Sequence, residues 1–459
     1  MLRLHDTATG TVEPLAQRDL GRVSMYVCGP TVYDVPHMGH GRMALAFDIL
    51  LRYLEFSGLE VRYVSNITDI DDKIIARALS EGRPAAEVAA QFEQAWWDAV
   101  DGLGVKRPTV APRATEYVEQ MVALVDSLVG RGVAYETSDG VYLAVDQVDG
   151  YGLLARQSLD SLRSGARVEP GEEKRSALDF ALWKKAKPGE PTWPSPWGPG
   201  RPGWHTECVV MSLDLLGEGF DLHGGGIDLA FPHHENERAQ AVVLGQDFAH
   251  HWVHNGHLVT SGEKMSKSLG NFSSVADLLA RTDARAYRLL LLRSHYRSPV
   301  EVTPAIMADA EKALAGLDAL ARRFSLGETP VPATVAQARA AGADAEALDC
   351  FVAAMDDDLG TPAAVAALFE LARRANVAAD GGDEAEGRRL AFTVVVLCGA
   401  LGLSLRAASD VDAPAAALVA ERDAARDGRD WARADALRAQ LEGLGWVVED
   451  TPAGTRLHR

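Results

Sequence analysis

Residues 23–67 read VSMYVCGPTVYDVPHMGHGRMALAFDILLRYLEFSGLEVRYVSNI. VSMYVC (23–28) is β-branched and aromatic, which marks a strand, and a loop of glycine, proline and histidine follows it. RMALAFDILLRYLEF (42–56) then sets apolar residues at helical spacing, and VRYVSNI (61–67) returns to strand character. Strand, helix, strand in that order makes a parallel pair with the helix packed on its face. GFDLHGGG (219–226) and WVHNGHLVT (252–260) add two strand candidates much later in the chain. The fold class is therefore α/β, with one parallel sheet built in two halves.

Something different separates the halves. Residues 105–187 mix helix, hairpin-like strand and a basic stretch, and PGEPTWPSPWGPGRPG (188–203) carries six prolines that a regular sheet excludes. Residues 1–104 are thus the first half of the sheet domain, 105–200 an insertion across its edge, and 201–310 the second half. SLGETPVPATV (325–335) resembles a linker, and 311–405, rich in Ala, Leu and Arg, is expected to be a helical bundle. A small α+β piece, 406–459, closes the chain, with two short helices broken near Gly428 and a strand-like VVE after them.

With 459 residues, 47% hydrophobic and 24% charged, the chain is globular and large enough for several domains. It lacks an apolar run of membrane-spanning length, and MLRLHDTATG has no signal-peptide core, so a cytoplasmic protein is expected. Four cysteines form no disulfide framework and fit a reducing compartment. A net charge of −19 excludes a protein that coats nucleic acid through bulk attraction, though not one with a local basic surface. Two basic tracts stand out: nine Lys/Arg against six Asp/Glu in 156–201, and Arg281, Arg285, Arg288, Arg293 and Arg297 against one Asp. The first three of these arginines, spaced four and three, form a stripe on a helix, either a solvated face or an RNA contact.

Three local patterns carry chemistry. Cys28 ends the first strand, where open α/β sheets place their ligands, and His37-Met38-Gly39-His40 sits just before the helix. Two imidazoles at a helix start, with a glycine allowing close approach, suit a phosphate anion; a metal pair or a solvated loop would read the same way. In GEKMSKSLGN (262–271), Lys264 and Lys267 alternate with Ser266 and Ser268 in a glycine-flanked loop, able to fold over a triphosphate or to be an ordinary surface turn. In FPHHENE (231–237), His233 and Glu237 stand four apart and share a helix face, while His234 and Glu235 point elsewhere. With Cys28 and Cys208 they would make a Cys₂HisGlu set for zinc, with His205 and Glu207 as spares. Cys350 and Cys398 have apolar neighbours and read as core residues.

HMGH paired with KMSKS around a split sheet resembles the class I aminoacyl-tRNA synthetases. MYVCGPTVYD, SNITDIDDKI, DFALWK, GRPGWHTEC, HGGGIDLAFPHHENE, NGHLVTSGEKMSKSLGNF, MDDDLGTP and DWARADALR narrow the resemblance to the cysteinyl-tRNA synthetase family, over nearly the whole chain. Met38, where isoleucine is commoner, is the one visible departure. The resemblance implies a Rossmann-like nucleotide-binding sheet, activation of L-cysteine by ATP with Mg²⁺, and transfer to tRNA(Cys). It implies one Zn²⁺ per subunit on Cys28, Cys208, His233 and Glu237, with the substrate thiolate as a further ligand. It assigns His37 and His40 to the triphosphate, Lys267 to the leaving pyrophosphate with Lys264 in support, and Gly39, Asp228 and Ser268 to the nucleotide. Thr68 and Trp204 become walls near the amino acid. Trp431 with Arg429 and Arg433 offers a surface for unpaired bases, against the commoner reading of a core tryptophan. A monomer is expected. The rival readings are a ligase joining cysteine to glucosaminyl-inositol in mycothiol synthesis, and an inactive, zinc-stabilised RNA-binding paralogue.

Overall fold

The computed structural model describes residues 1–158, 161, 173–259, 274–327, 329–406, 413–451 and 454–458. The chain opens with a hairpin that the sequence reading did not find, β1 (Arg3–Asp6) against β2 (Thr11–Pro14). β3 (Arg22–Val27), α1 (Met38–Phe56) and β4 (Glu60–Ser65) then form the expected strand–helix–strand unit. α1 begins four residues earlier than periodicity placed it, so HMGH forms the first turn of the helix and does not precede it. Its glycine and histidines hide the apolar stripe there, and His37 supplies the cap. α2 (Asp72–Glu81) and α3 (Ala85–Gly102) complete this half.

α4 (Val118–Gly130) leads into an antiparallel sheet of β5 (Ala134–Glu136), β6 (Gly140–Leu143), β7 (Phe180–Lys185) and β8 (Gly200–Pro202), in that spatial order. Pro202 therefore does enter a sheet, against expectation. β8 is an edge strand and Pro202 its last residue, a position where a missing N–H is tolerated.

α5 (Trp204–Leu216), β9 (Leu222–Gly226), α6 (Glu235–Leu244) and β10 (His251–Asn255) build the second half. The main sheet is parallel, in the order β10-β9-β3-β4. The chain starts each half at a central strand and winds outward, so the order reverses between β3 and β9, and ligands bind beyond the carboxyl ends of strands at such a switch point. The run 252–260 is not one strand. It breaks at Gly256, and β11 (Leu258–Val259) pairs instead with β12 (Val300–Glu301).

α7 (Val275–Arg281) and α8 (Ala284–Leu292) follow, then the helices α9 (Pro304–Arg323), α10 (Val335–Ala340), α11 (Ala345–Asp356), α12 (Thr361–Asp380) and α13 (Glu384–Ala400). α14 (Ala413–Asp427), α15 (Trp431–Gly443) and the hairpin of β13 (Val447–Thr451) and β14 (Gly454–His458) end the chain. Cys398 is buried as expected, but Cys350 is exposed. α11 turns Leu348, Phe351 and Met355 inward, which leaves Cys350 on the opposite side.

The arginine stripe dissolves. Arg281 ends α7 and Arg285 begins the next helix, so the spacing spans a break at Thr282 and Asp283. Arg285 pairs with Asp283 and Asp318, Arg293 with Asp309, and Arg297 with Asp358. Arg288 is 1% exposed and donates to Asp48 of α1 and to the carbonyls of Leu103 and Gly104. It clamps the bundle side of the protein to the first half of the sheet domain. Removing one partner of a buried pair strands the other charge, at about 3–5 kcal/mol. Arg288→Ala is expected to lose about 3 kcal/mol in urea unfolding, the lower end because Asp48 also accepts from Arg52 at 2.7 Å. A loss under about 0.5 kcal/mol, the scale of a surface change, would contradict the clamp.

Candidate metal and nucleotide site

Cys28 Sγ and Cys208 Sγ lie 3.5 Å apart, with Cys28 Sγ 3.4 Å from Glu237 Oε1. His233 Nε2 is 3.0 Å from Glu237 Oε1 and 3.7 Å from Cys208 Sγ. Zinc bonds of about 2.3 Å to sulfur and about 2.0–2.1 Å to nitrogen or oxygen give tetrahedral edges of about 3.3–3.8 Å. Most of these separations match, so the donor set fits the ion without rearrangement of the backbone. All four residues are buried. Cys28 follows β3, Cys208 lies on α5, His233 precedes α6 and Glu237 is on it.

A second set, Cys28, His223, His234 and Glu237, satisfies the same spacing. His234 therefore does not point away from the site, against expectation: its backbone is helical and it stands three residues before Glu237, a spacing that a helix also puts on one face. The hydrogen bonds favour the first set. His223 Nε2 meets the other carboxylate oxygen of Glu237 at 2.8 Å, and His234 Nδ1 meets His254 Nε2 at 2.8 Å. A carboxylate that keeps one oxygen for an imidazole N–H has the other free for a cation.

Neither proposed spare falls in either group. His205 Nδ1 stands 2.9 Å from His233 Nδ1 and so orients that ring, while Glu207 Oε2 accepts from Thr68 Oγ1 at 3.2 Å. Trp204 stacks on His233, with ring centroids 3.9 Å apart. Thr68 and Trp204 thus both adjoin the cluster. The sequence reading missed His223, Asn66 and His254. Asn66 and His254 lie at the carboxyl ends of β4 and β10, which is a usable signal, whereas His223 is near the start of β9; strand histidines and asparagines read first as packing.

Around the switch point, His37 caps α1, and the two imidazoles exchange bonds with each other's backbone: His37 Nδ1 accepts from His40 N–H and His40 Nδ1 from His37 N–H, both at 3.3 Å. The rings stack at 3.7 Å. A Cβ at Gly39 would approach His37 Cε1 to 2.9 Å, so a side chain there would push on the capping imidazole. Asp228, in the turn after β9, faces His37 and raises its pKa against the lowering by burial. Burial pushes His40 down to about 3, so it presents a neutral ring. Lys264, Lys267 and Ser268 lie outside the described residues. Trp431 is 59% exposed, which overturns the core reading for it.

The comparisons agree with this geometry. The family model described as the class I (C) tRNA synthetase catalytic domain matches residues 14–312. A DALR domain matches 350–406 and a cysteinyl-tRNA ligase anticodon binding domain 408–457. The chain is 47% identical to a cysteine–tRNA ligase of Alkalilimnicola ehrlichii, over 100% of both chains. It belongs to the cysteine–tRNA ligase family. A relative of the same name from Moorella thermoacetica is 45% identical over 99% of each chain. The fold also resembles Mycobacterium tuberculosis methionyl-tRNA synthetase in complex with methionyl-adenylate, with TM-score 0.60 and 18% identity over 83% of this chain and 89% of that one. The protein is thus a class I aminoacyl-tRNA synthetase. Among the described residues no helix is long and apolar enough to cross a membrane.

Burial also holds His205 and His254 down to about 3, against 6.5 for a free histidine. Between those values the unfolded synthetase binds protons that the folded one refuses, so stability falls as the pH drops below about 6.5. Burial raises the Cys28 and Cys208 thiols, which removes stability at the other end, as the pH rises past 9.0. The melting temperature of chelator-treated protein is therefore expected to fall steadily from pH 7 to pH 5. A flat profile across that range would refute the buried neutral histidines.

Proposed function

We propose that the synthetase activates L-cysteine with ATP and Mg²⁺ as cysteinyl-adenylate and transfers it to the 3′-terminal adenosine of tRNA(Cys), as a cytoplasmic monomer. The observation that carries this reading is the convergence of Cys28, Cys208, His233 and Glu237 within 4.8 Å of one another. These residues would hold one Zn²⁺. When bound, it supplies a soft Lewis acid that favours a substrate thiolate over the hydroxyl of serine.

Every other step is carried by side chains. His233 is held by Trp204 and His205, and Thr68, which donates to Glu207, is assigned with Trp204 to the surroundings of the amino acid. The carboxylate of cysteine is the nucleophile at the α-phosphorus of ATP, so positioning and charge stabilisation do the chemistry. His37 and His40 act as neutral N–H donors to the phosphates, reinforced by the positive end of α1, with Gly39 allowing close approach. Asp228 accepts from the ribose. Lys267, with Lys264 and Ser268 beside it, offsets the charge of departing pyrophosphate. Selection by sulfur supplies discrimination that an apolar pocket cannot, since one small group is worth about 10–200-fold there.

Trp431, at the head of α15 with Arg429 and Arg433 beside it, gives an exposed ring for stacking an unpaired base. The matches over 350–406 and 408–457 support tRNA as acceptor over an amino-sugar.

Elemental analysis is expected to find one zinc per chain. Its removal is expected to abolish cysteine-dependent exchange of pyrophosphate into ATP, with recovery on adding zinc back. Zinc-free protein that still prefers cysteine to serine would sink the metal reading. His40→Ala is expected to slow exchange about 10²–10³-fold with the KM for cysteine little changed, the scale of one lost transition-state donor. A change in KM alone would assign His40 to substrate binding.

A further inference from the structure

Asn66, 1% exposed, sits just past β4, and its amide joins segments from both halves of the sheet domain. Oδ1 accepts the backbone N–H of Gly29, the residue after Cys28, at 2.9 Å. Nδ2 donates to the Thr68 hydroxyl at 3.1 Å, and that hydroxyl donates onward to Glu207 Oε2 at 3.2 Å. Glu207 immediately precedes Cys208 on α5, and the Cys208 thiol donates to the same Asn66 oxygen at 3.8 Å. The orientation of the amide is forced: a backbone N–H only donates, so the atom facing Gly29 is the oxygen.

The two backbones also run close together: a Cβ on Gly29 would stand 1.6 Å from the backbone carbonyl oxygen of Asn66. The flanking backbone is tied as well, Thr68 N–H donating to Pro30 at 3.0 Å and Val32 N–H to Thr68 at 3.2 Å. One buried side chain thus spans the loop of the first cysteine and, through Thr68, the helix of the second.

We propose that Asn66 is a positioning residue for the sulfur pair, holding Cys28 and Cys208 at the separation that a metal ion requires. The inference rests on the zinc reading above. Alanine at this position would leave the Gly29 N–H without its partner and the Thr68 hydroxyl with Glu207 alone, so the side-chain tie between the Cys28 loop and α5 is lost while the backbone bonds remain. Groups that orient metal ligands from behind carry about 10–100-fold in affinity.

The test is the zinc dissociation constant, read by competition with a chromophoric chelator on full-length wild type, Asn66→Ala, Glu207→Ala and Glu207→Gln. Asn66→Ala is expected to bind zinc about 10–100-fold more weakly. Glu207→Ala is expected to weaken it less, and Glu207→Gln to stay near wild type, because an amide carbonyl still accepts from Thr68. A purely structural role would lower the melting temperature of the zinc-free protein and leave the affinity of the folded fraction unchanged. An Asn66→Ala affinity equal to wild type overturns the inference. If that variant does not fold, equal affinities of Glu207→Ala and wild type overturn it instead. Wild type binding no zinc brings down the metal reading together with this one, whereas wild-type binding with unaltered variants brings down this one alone.

Discussion

The parallel pairing of β3 with β9 is the constraint on which the molecule depends. Residues from distant parts of the chain meet there in register, Met25 with Leu222 and Val27 with Gly224, and the ladder runs on through Cys28 N–H to the Gly224 carbonyl at 3.1 Å. β9 runs two residues past the end of β3, and because the strands are parallel the loops beyond both leave from the same side of the sheet. Gly224 also lets α1 lie close against the sheet, since a Cβ there would come within 2.2 Å of Phe47. A larger residue would lift α1 away and carry His37 and His40 with it, separating the phosphate end of the crevice from the sulfur end. The glycine run is thus a packing requirement before it is a binding motif.

Burial decides how charge is used within this frame. Partial burial of His40 and full burial of His254 hold both down to about 3, so neither ring carries charge near neutral pH, and an anion at the start of α1 would meet N–H donors and the helix dipole. The arginines are occupied elsewhere. Arg288, Arg285 and Arg297 are tied to Asp48, Asp318 and Asp358, holding domains together in a chain with a net charge of −19. Counting basic residues along the sequence therefore overstated the surface available to RNA.

Much of this was legible before any coordinates, and the failures have physical reasons. The strand–helix–strand unit announced itself through periodicity, and His233 with Glu237 through spacing. Cys28 and Cys208 could be joined to them only by placement, one at a strand end and the other beside the second half of the sheet, and the family resemblance implied the same set. HMGH was misplaced because capping residues interrupt an apolar stripe. The 252–260 run looked continuous because a strand change at Gly256 leaves no mark on hydropathy. His223, His254 and Asn66 escaped because their importance lies in what they touch, and contact across strands is not written in either strand alone.

The junction with the helical bundle shows the same principle at longer range. Arg42, one turn into α1, gives its guanidinium to the carbonyls of His257, Tyr296 and Ser298, so the phosphate-side helix is bonded to the segment flanking β11 and β12. Tyr296 Oη in turn donates to Asp358 Oδ1 at 2.8 Å and Arg297 Nε to Oδ2 at 2.9 Å, while the same Oδ1 accepts the His5 N–H at 2.8 Å. Asp358 and Leu359 hold φ of 54° and 50°, a left-handed pair that costs about 1–3 kcal/mol per residue and persists only where its surroundings over-determine it. Here they do, because one buried carboxylate gathers the N-terminal hairpin, the end of the catalytic domain and the turn between α11 and α12. Apolar packing alone would let the bundle slide over the sheet domain. Directional bonds to a strained turn fix its angle.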